Sequence, residues 1–140
     1  MLDGPLPLTI IPLDVTHTAL ATPEVVARVR ALGTPLAGVV GALIDFFRST
    51  YASVFHMPDP PVHDAVAVAR AIRPELVAVR EVFAAVELQG EWTLGETVVD
   101  WHGRLGRPAN CRIATALDVD AFWDLLVAAL DRLGSGRAGT

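Results

Sequence analysis

Two adjacent residues, His63 and Asp64, are the best candidates for chemistry in this sequence. They follow the segment 57–61, in which three of the last four residues are proline, and proline does not fit a helix interior. The pair therefore opens a helix, predicted to end at about Ile72, from a stiff loop. Carboxylate oxygen suits a hard cation such as calcium, and an imidazole that titrates near neutrality suits a general acid. From spacing alone, helix capping by Asp64 with local packing of His63 is the more common arrangement.

A second polar group, made of Asp14, Thr16 and His17, follows the apolar run Leu8–Leu13. An uninterrupted apolar run favours a strand that is covered on both faces. Open α/β sheets bind ligands at the carboxyl ends of their strands, so these residues are candidates for another part of the site. A polar turn stabilised by Asp or Thr explains the same pattern and is the more common outcome.

The remaining candidates are weaker. Phe46, Phe47 and Tyr51 lie on one predicted helix and could line a pocket that stacks on an aromatic base, but an aromatic stripe at helical spacing more often belongs to the core. The segment Asp100-Trp101-His102 could form a polar site, and a strand end with an exposed acid explains it equally well. His56 and His102 are predicted to lie in solvated loops.

Hydrophobic spacing and capping signals predict an α/β chain. Thr22-Pro23 and Thr34-Pro35 each combine a capping hydroxyl with proline at the first helical position, and Asp118 caps a final helix. Glycine at position 33 ends the first of these helices, and the second is predicted to reach about Phe55. The predicted strands are Leu8–Leu13, Val79–Leu88, Thr97–Trp101 and Cys111–Leu117, and the final helix carries an apolar stripe of Val119, Phe122, Trp123, Leu126, Leu130 and Leu133.

Composition narrows the function classes. The 140 residues suffice for one domain, and a formal net charge of -5 gives no basic surface for nucleic acid. Apolar residues make up 52%, or about 60% with glycine, above the roughly 45–50% of an average domain, so some apolar surface should face another protein surface. Cys111 is the only cysteine and is expected to be a buried, inert thiol. No segment suggests a signal peptide or a membrane span, and a soluble cytoplasmic protein is expected.

Segments along almost the whole chain resemble the inosine-uridine preferring nucleoside hydrolases, and their order and spacing agree with that family. The matching segments are 8–17 (LTIIPLDVTH), 22–25 (TPEV), 61–64 (PVHD), 67–69 (AVA), 73–76 (RPEL), 86–90 (VELQG), 93–100 (TLGETVVD) and 110–123. The resemblance implies a partial nucleoside-hydrolase-like fold, which is a Rossmann-like open sheet with flanking helices and a C-terminal strand-rich segment. Residues 1–133 would form the C-terminal half of such a domain, and 134–140 a flexible tail.

The same resemblance implies hydrolysis of the N-glycosidic bond of ribonucleosides to ribose and a free base, as part of nucleoside catabolism and salvage. In the family a calcium ion, held by several acidic side chains, grips the ribose hydroxyls and lowers the pKa of the attacking water. By correspondence with the family motif, Asp64 matches a calcium-binding aspartate. His63 matches the histidine that protonates the leaving base.

Two departures from the family pattern qualify this expectation. Ala65 stands where the family usually has proline, and the Asp-rich N-terminal motif that supplies most calcium ligands is absent, as is the Asn/Glu segment that holds the ribose. Calcium takes 6–8 oxygen ligands, which one matched aspartate cannot supply. We therefore expect negligible hydrolysis by this chain alone. It is either an enzyme half that needs an N-terminal partner or a non-catalytic module, which would be a remnant of the fold or a dimerising domain. A metal-binding role for the His63-Asp64 corner is a third hypothesis.

Overall fold

The computed structural model of the protein describes residues 2, 4 and 6–136, and it shows an α/β fold. Four strands and five helices follow one another with helices concentrated in the first half and strands in the second. In chain order they are β1 (Thr9–Ile10), α1 (Leu13–Thr16), α2 (Pro23–Arg30), α3 (Pro35–Val54), α4 (Asp64–Ile72), β2 (Val77–Val86), β3 (Thr97–Asp100), β4 (Cys111–Leu117) and α5 (Val119–Gly134), with a 3₁₀ turn at Pro74–Leu76 before β2.

Three helices begin where their capping signals predict. The side chains of Thr22, Thr34 and Asp118 each accept a hydrogen bond from the backbone N–H three residues further on, at the starts of α2, α3 and α5. This bond satisfies one of the amide donors that the first turn of a helix leaves unpaired. Gly33 adopts φ +66°, in the left-handed region that glycine tolerates, and separates α2 from α3 as predicted.

The first strand is shorter than predicted. Only Thr9 and Ile10 form β1, and the predicted strand Leu8–Leu13 is wrong beyond Ile10. The cause is Pro12, whose extended backbone precedes α1 and whose carbonyl accepts the N–H groups of Val15 and Thr16. A residue with no N–H of its own cannot donate to a sheet, and it leads the chain directly into a helical turn.

The four strands form one open sheet in the order β1-β4-β2-β3. β1 runs parallel to β4, while β4 and β3 both run antiparallel to β2. β2 and β3 confirm the predicted strand pair, although β2 begins two residues earlier than predicted. The connection between them extends from 87 to 96.

An asparagine side chain extends the pairing of β2 beyond β4. Oδ1 of Asn110 accepts the backbone N–H of Ala84 at 2.9 Å, and Nδ2 donates to the carbonyl of Ala84 at 2.8 Å. The amide thus reproduces both bonds of an antiparallel backbone pair.

Cys111, the next residue along the chain, is a free thiol and is buried as predicted. Burial raises the pKa of this thiol.

The main core lies between α4, α5 and the sheet. Its most buried large side chains include Val66, Val77 and Phe122, each at most 2% exposed. The predicted stripe of α5 is confirmed at Phe122 and Trp123 but wrong at Leu133, which is 73% exposed. Gly134 is the last residue of α5, so the predicted tail 134–140 starts within this helix, and 137–140 lie outside the described residues.

Helix α3 presents apolar side chains to solvent. Val39, Leu43, Phe46, Phe47 and Val54 are between 53% and 67% exposed, and we call them the outer face of α3. The only charged residues of this helix are Asp45 and Arg48, which lie elsewhere on its circumference. The composition predicted that some apolar surface would remain uncovered within this chain, and the outer face of α3 is the largest such run on one helix.

Candidate active site

A stiff loop delivers His63 to its position. Backbone hydrogen bonds join Ala21 N–H to the Pro60 carbonyl at 2.9 Å and Val62 N–H to the Ala19 carbonyl at 3.0 Å. Arg48 adds a hydrogen bond to the Ala21 carbonyl and an ion pair with Asp59, both at 2.7 Å. The loop before α4 is therefore fastened both to the segment after α1 and to α3.

The His63 imidazole is contacted at both ring nitrogens. Its Nδ1 lies 2.8 Å from the hydroxyl of Thr16, at the end of α1, and its Nε2 lies 3.1 Å from the hydroxyl of Tyr51, in the last turns of α3. Thr16 is itself buried, at 3% exposed. Two separate helices, α1 and α3, thus fix the orientation of one half-buried ring.

The surroundings of His63 favour its neutral form. Partial burial lowers the pKa of His63 below its ordinary value of 6.5, because the cation loses solvation. The His17 ring, 5.4 Å away between centroids, lowers that pKa further, while the Asp64 carboxylate acts in the opposite direction. A neutral imidazole has one nitrogen that donates a hydrogen bond and one that accepts. Its two hydroxyl partners can each do either, so they match the neutral ring.

His63 stands in the wall of a cavity of about 320 Å³ between α3 and the loop that precedes α4. The lining is predominantly apolar, with polar atoms contributed at one end by Tyr51, His63 and Asp64. The other lining residues are Ala21, Val40, Leu43, Ile44, Phe47, Pro60, Pro61, Val62 and Ala65. Such a cavity suits a flat, mainly apolar ring with a few polar atoms on its edge.

Asp64 is the first residue of α4, and its side chain is exposed at the mouth of this cavity. The predicted capping of α4 by Asp64 is wrong, because Asp64 is already the first helical residue, and His63, which occupies the capping position, makes no side-chain capping bond. Across residues 2, 4 and 6–136, no group of three or more His, Cys, Asp or Glu side chains converges to hold a metal ion. The donors present do not fit a calcium shell of 6–8 oxygens.

Two of the three residues in the second polar group lie next to His63, and the third is exposed to solvent. Thr16 and His17 lie beside His63, while Asp14 is exposed in the first turn of α1. The sequence singled out Thr16 as part of a polar step, and its bond to a residue 47 positions away could not be seen there. The predicted ligand region after the first strand is thus adjacent to the His63-Asp64 corner, with a short helix in place of the strand's end.

The expected core role of the aromatic stripe is wrong for two of its three members. Phe46 and Phe47 are 67% and 53% exposed, and Phe47 lines the cavity together with Tyr51. The segment 100–102 lines a different cavity, and His56 and His102 are exposed as predicted.

Among the described helices, none has the length and apolar character needed to cross a membrane.

Solved structures with a similar fold are nucleoside hydrolases. A purine-preferring ribonucleoside hydrolase from Gardnerella vaginalis superposes with a TM-score of 0.77 at 28% identity, over 91% of this chain and 40% of that one. An inosine-guanosine nucleoside hydrolase gives a TM-score of 0.70, also at 28% identity, over 93% of this chain and 39% of that one.

Sequence comparison gives the family. The sequence model of the inosine-uridine preferring nucleoside hydrolases matches residues 1–124. The inosine-uridine preferring nucleoside hydrolase of Leishmania major is 43% identical over 91% of this chain, and the non-specific ribonucleoside hydrolase RihC of Salmonella schwarzengrund (strain CVM19633) is 47% identical over 79%. The chain belongs to the inosine-uridine preferring nucleoside hydrolase family. It covers 40% and 34% of the lengths of these two relatives.

Proposed function

We propose that this chain forms the base-binding side of a nucleoside hydrolase active site, with His63 as the acid that protonates the leaving base. The observation that carries this proposal is the His63 ring in the wall of an apolar cavity, bonded to Thr16 and Tyr51. A general acid must lie within reach of its substrate in a fixed orientation, and two hydroxyl partners from different helices provide that orientation.

The proposed step is cleavage of a ribonucleoside to ribose and free base. The bond between the anomeric carbon and the base nitrogen breaks, its electron pair stays on the base, and the proton of Nε2 moves to the base. Water adds to the sugar cation and releases a proton. His63 would act in its imidazolium form, with Nδ1–H donating to the Thr16 hydroxyl, and loss of the Nε2 proton to the base would leave a neutral ring. Tyr51 would act as a positioning residue through its bond to that nitrogen.

Calcium is part of the proposal only for the assembled enzyme. Asp64 would contribute one carboxylate at the mouth of the cavity, and the further oxygen ligands would come from another polypeptide segment. This division agrees with the described residues, in which no group of three or more His, Cys, Asp or Glu side chains could hold a metal ion. We accordingly propose that the isolated chain hydrolyses nucleosides negligibly.

The proposed partner is the remaining part of a nucleoside hydrolase domain. Two surfaces support a covering partner: the side of β1 that faces away from β4, which has no strand beside it among the described residues, and the uncharged outer face of α3. A strand edge and an apolar helix face of this kind are normally covered in folded proteins.

The test is fragment complementation. This chain would be mixed with the portion of the Leishmania major relative that precedes the aligned region, and base release from inosine and uridine would be measured with and without calcium. We expect turnover only from the mixture with calcium. In the mixture, His63→Ala should lower kcat by about 10²–10⁴-fold, because it removes a general acid.

His102→Ala is the matched control, since it removes an exposed histidine from a different cavity. It should leave the turnover of the mixture unchanged. Turnover by the chain alone near that of a complete relative would contradict the proposed dependence on a partner. Equal turnover of the His63→Ala and His102→Ala mixtures would contradict the role of His63.

A second candidate function is a non-catalytic module that pairs with a copy of itself. The uncharged outer face of α3 favours it, because a two-fold contact through this face would bring no like charges together. The two candidates predict different behaviour in solution. The self-pairing module forms a stable dimer by itself, whereas the enzyme half becomes stable on addition of its missing portion.

A further inference from the structure

One arginine of α3, Arg48, joins three parts of the chain. Its Nη2 donates to the carbonyl of Ala21 at 2.7 Å, and its Nη1 lies 2.7 Å from a carboxylate oxygen of Asp59. A planar guanidinium can hold two acceptors at once in a fixed geometry, which a lysine ammonium on its flexible stem cannot do. A single side chain of α3 therefore holds both the segment after α1 and the loop before α4.

The ion pair between Arg48 and Asp59 is the least exposed one among residues 2, 4 and 6–136. Its two side chains are 27% and 22% exposed, whereas those of the other three ion pairs are between 45% and 70% exposed. Exposed ion pairs contribute little to stability, because water and salt screen the charges. Partial burial reduces this screening, so the Arg48 pair is the one best able to hold two elements together.

The elements that Arg48 joins are those that carry the His63 ring and its two hydroxyl partners. On α3, Tyr51 follows Arg48 by three residues, which is about one helical turn. Asp59 lies four residues before His63, on the loop that leads into it. The segment held through the Ala21 carbonyl follows α1, whose last residue supplies the other hydroxyl.

Arg48 influences the site without touching it. Neither Arg48 nor Asp59 is among the residues that line the cavity beside His63. Ala21 does line this cavity, and so does Pro60, the residue after Asp59. A base bound in the cavity would therefore not contact Arg48, but it would contact residues whose positions depend on Arg48.

From this arrangement we propose that Arg48 is a positioning residue for the reaction, which keeps the two hydroxyl partners of His63 on its ring nitrogens. The inference rests on the proposed function, in which His63 transfers a proton to the leaving base. Proton transfer needs an acid that is within reach and fixed in orientation, and a displacement of about 1 Å can lower the rate about 10²-fold. All of these contacts lie within this chain, so the His63 corner is formed before a partner binds.

The first measurement follows the His63 ring in this chain alone and needs no turnover. The ¹⁵N chemical shifts of both ring nitrogens would be recorded at about pH 8, above the ordinary histidine pKa of about 6.5, where the ring is neutral. A ring held between fixed partners keeps its proton on one nitrogen, so the two shifts lie far apart. In Arg48→Gln we expect both shifts to move toward the values of a solvated histidine.

Arg28→Gln is the matched control for this measurement. It makes the same charge change and also breaks an ion pair with an aspartate, Asp124, but that pair is exposed and joins α2 to α5. The ring shifts of His63 should stay as they are in the unchanged chain.

The second measurement is the turnover of this chain mixed with the preceding portion of the Leishmania major relative. Arg48→Gln should lower kcat by about 10–10²-fold and leave KM nearly unchanged, because Arg48 does not line the cavity. Arg28→Gln should change neither constant. If the mixture with the unchanged chain does not turn over, the proposed function fails, and the ring shifts alone decide the role of Arg48.

Three results would overturn the proposal. One is a pair of ring shifts in Arg48→Gln that equals the pair in the unchanged chain. Another is an equal change in Arg28→Gln, which would show a general loosening of the chain. The third is a fall in kcat no larger than that of the Arg28→Gln mixture. If Arg48→Gln does not fold, Arg48→Lys decides by the same criteria, because it keeps the charge but cannot hold both acceptors.

Discussion

The His63 ring sits between two hydroxyls and a second imidazole, so its protonation depends on several neighbours at once. Burial and His17 both disfavour the cation, and Asp64 favours it. The influences of His17 and Asp64 each belong to a side chain that can be changed without altering the His63 ring. The pKa of His63 is therefore a direct measure of the geometry on which the proposed acid role depends.

We predict that the His63 pKa lies below 6.5 in this chain, and that two single changes move it in opposite directions. His17→Gln should raise it, because the repulsion by a second cation is lost, and Asp64→Asn should lower it further, because the neighbouring negative charge is lost. An NMR titration of the histidine ring signals measures all three proteins. Shifts of the same sign in both variants would contradict the arrangement described.

The same lowered pKa makes stability depend on pH in a defined direction. The unfolded chain, with an ordinary histidine pKa of about 6.5, binds protons at a higher pH than the folded chain. The contribution of His63 to the free energy of unfolding is thus fully present above pH ~6.5 and is lost as the pH falls toward the folded-state pKa. His63→Gln should lack this part of the pH dependence.

At the scale of single residues, the sequence singled out His63 and Asp64 but could not predict the contacts that His63 makes. His63 and Asp64 stood out because a proline-rich loop and a helix start are local features. Thr16 and Tyr51, in contrast, reach His63 from 47 and 12 residues away along the chain. Which hydroxyl lies beside which nitrogen depends on how α1, α3 and α4 pack, and no local pattern contains that information.

At the scale of helices and strands, the helix starts that carry a local capping signal were predicted correctly. The end of the first strand, which carries no such signal in its periodicity, was not. The starts of α2, α3 and α5 follow from a capping side chain, so their prediction needs only four residues of sequence. The run Leu8–Leu13 looked like one strand because periodicity alone cannot show where pairing stops. Pro12 prevents the strand from continuing, because proline has no N–H to donate to a neighbouring strand. α1 begins at the next residue.

The end of α5 and the start of α3 meet at a glycine. A Cβ on Gly134 would lie 2.8 Å from the Cβ of Thr34, and closer still to its hydroxyl oxygen. Thr34 is the capping residue of α3, so it cannot move away without losing its bond to Ala37. The last turn of α5 therefore depends on glycine for packing, although glycine is a poor helix former.

We predict that Gly134→Ala lowers the free energy of unfolding by about 1–3 kcal/mol, the cost of overpacking, despite the higher helix propensity of alanine. Gly38→Ala is the matched control: it makes the same change inside α3, where an added Cβ meets no atom within 4 Å. It should raise stability by about 0.5–1 kcal/mol. Urea unfolding of both variants would decide, and stabilisation by Gly134→Ala would contradict the close contact.

For the whole molecule, the distribution of apolar surface is the main feature. A core between α4, α5 and the sheet coexists with an outer face of α3 that carries no charge. Composition alone predicted uncovered apolar surface, but not its place, since the periodicity of α3 fits a buried face equally well. Burial depends on which neighbours a helix has, and the described residues leave the side chains of this face more than half exposed.

The second candidate function, a module that pairs with a copy of itself, predicts association through the outer face of α3. Phe46→Lys, which places a charge in the middle of this face, should then weaken the association at least about tenfold. Sedimentation velocity over a range of concentrations measures it. Leu94→Lys is the control, because Leu94 is equally exposed, at 68%, in the connection between β2 and β3. Equal effects of the two changes would show that no particular face is involved.

The parallel pairing of β1 with β4 has a consequence for how the chain folds. Thr9 lies opposite Arg112, more than a hundred residues away, while β2 and β3 join through a short connection. Closing so long a loop costs more conformational entropy than closing a hairpin, so nearby strands associate first. The contact of Thr16 with His63 closes a loop of 47 residues, longer than the connection between β2 and β3. We therefore expect this contact to form after the pairing of β2 with β3, and amide exchange in 13–16 to be faster than in β2.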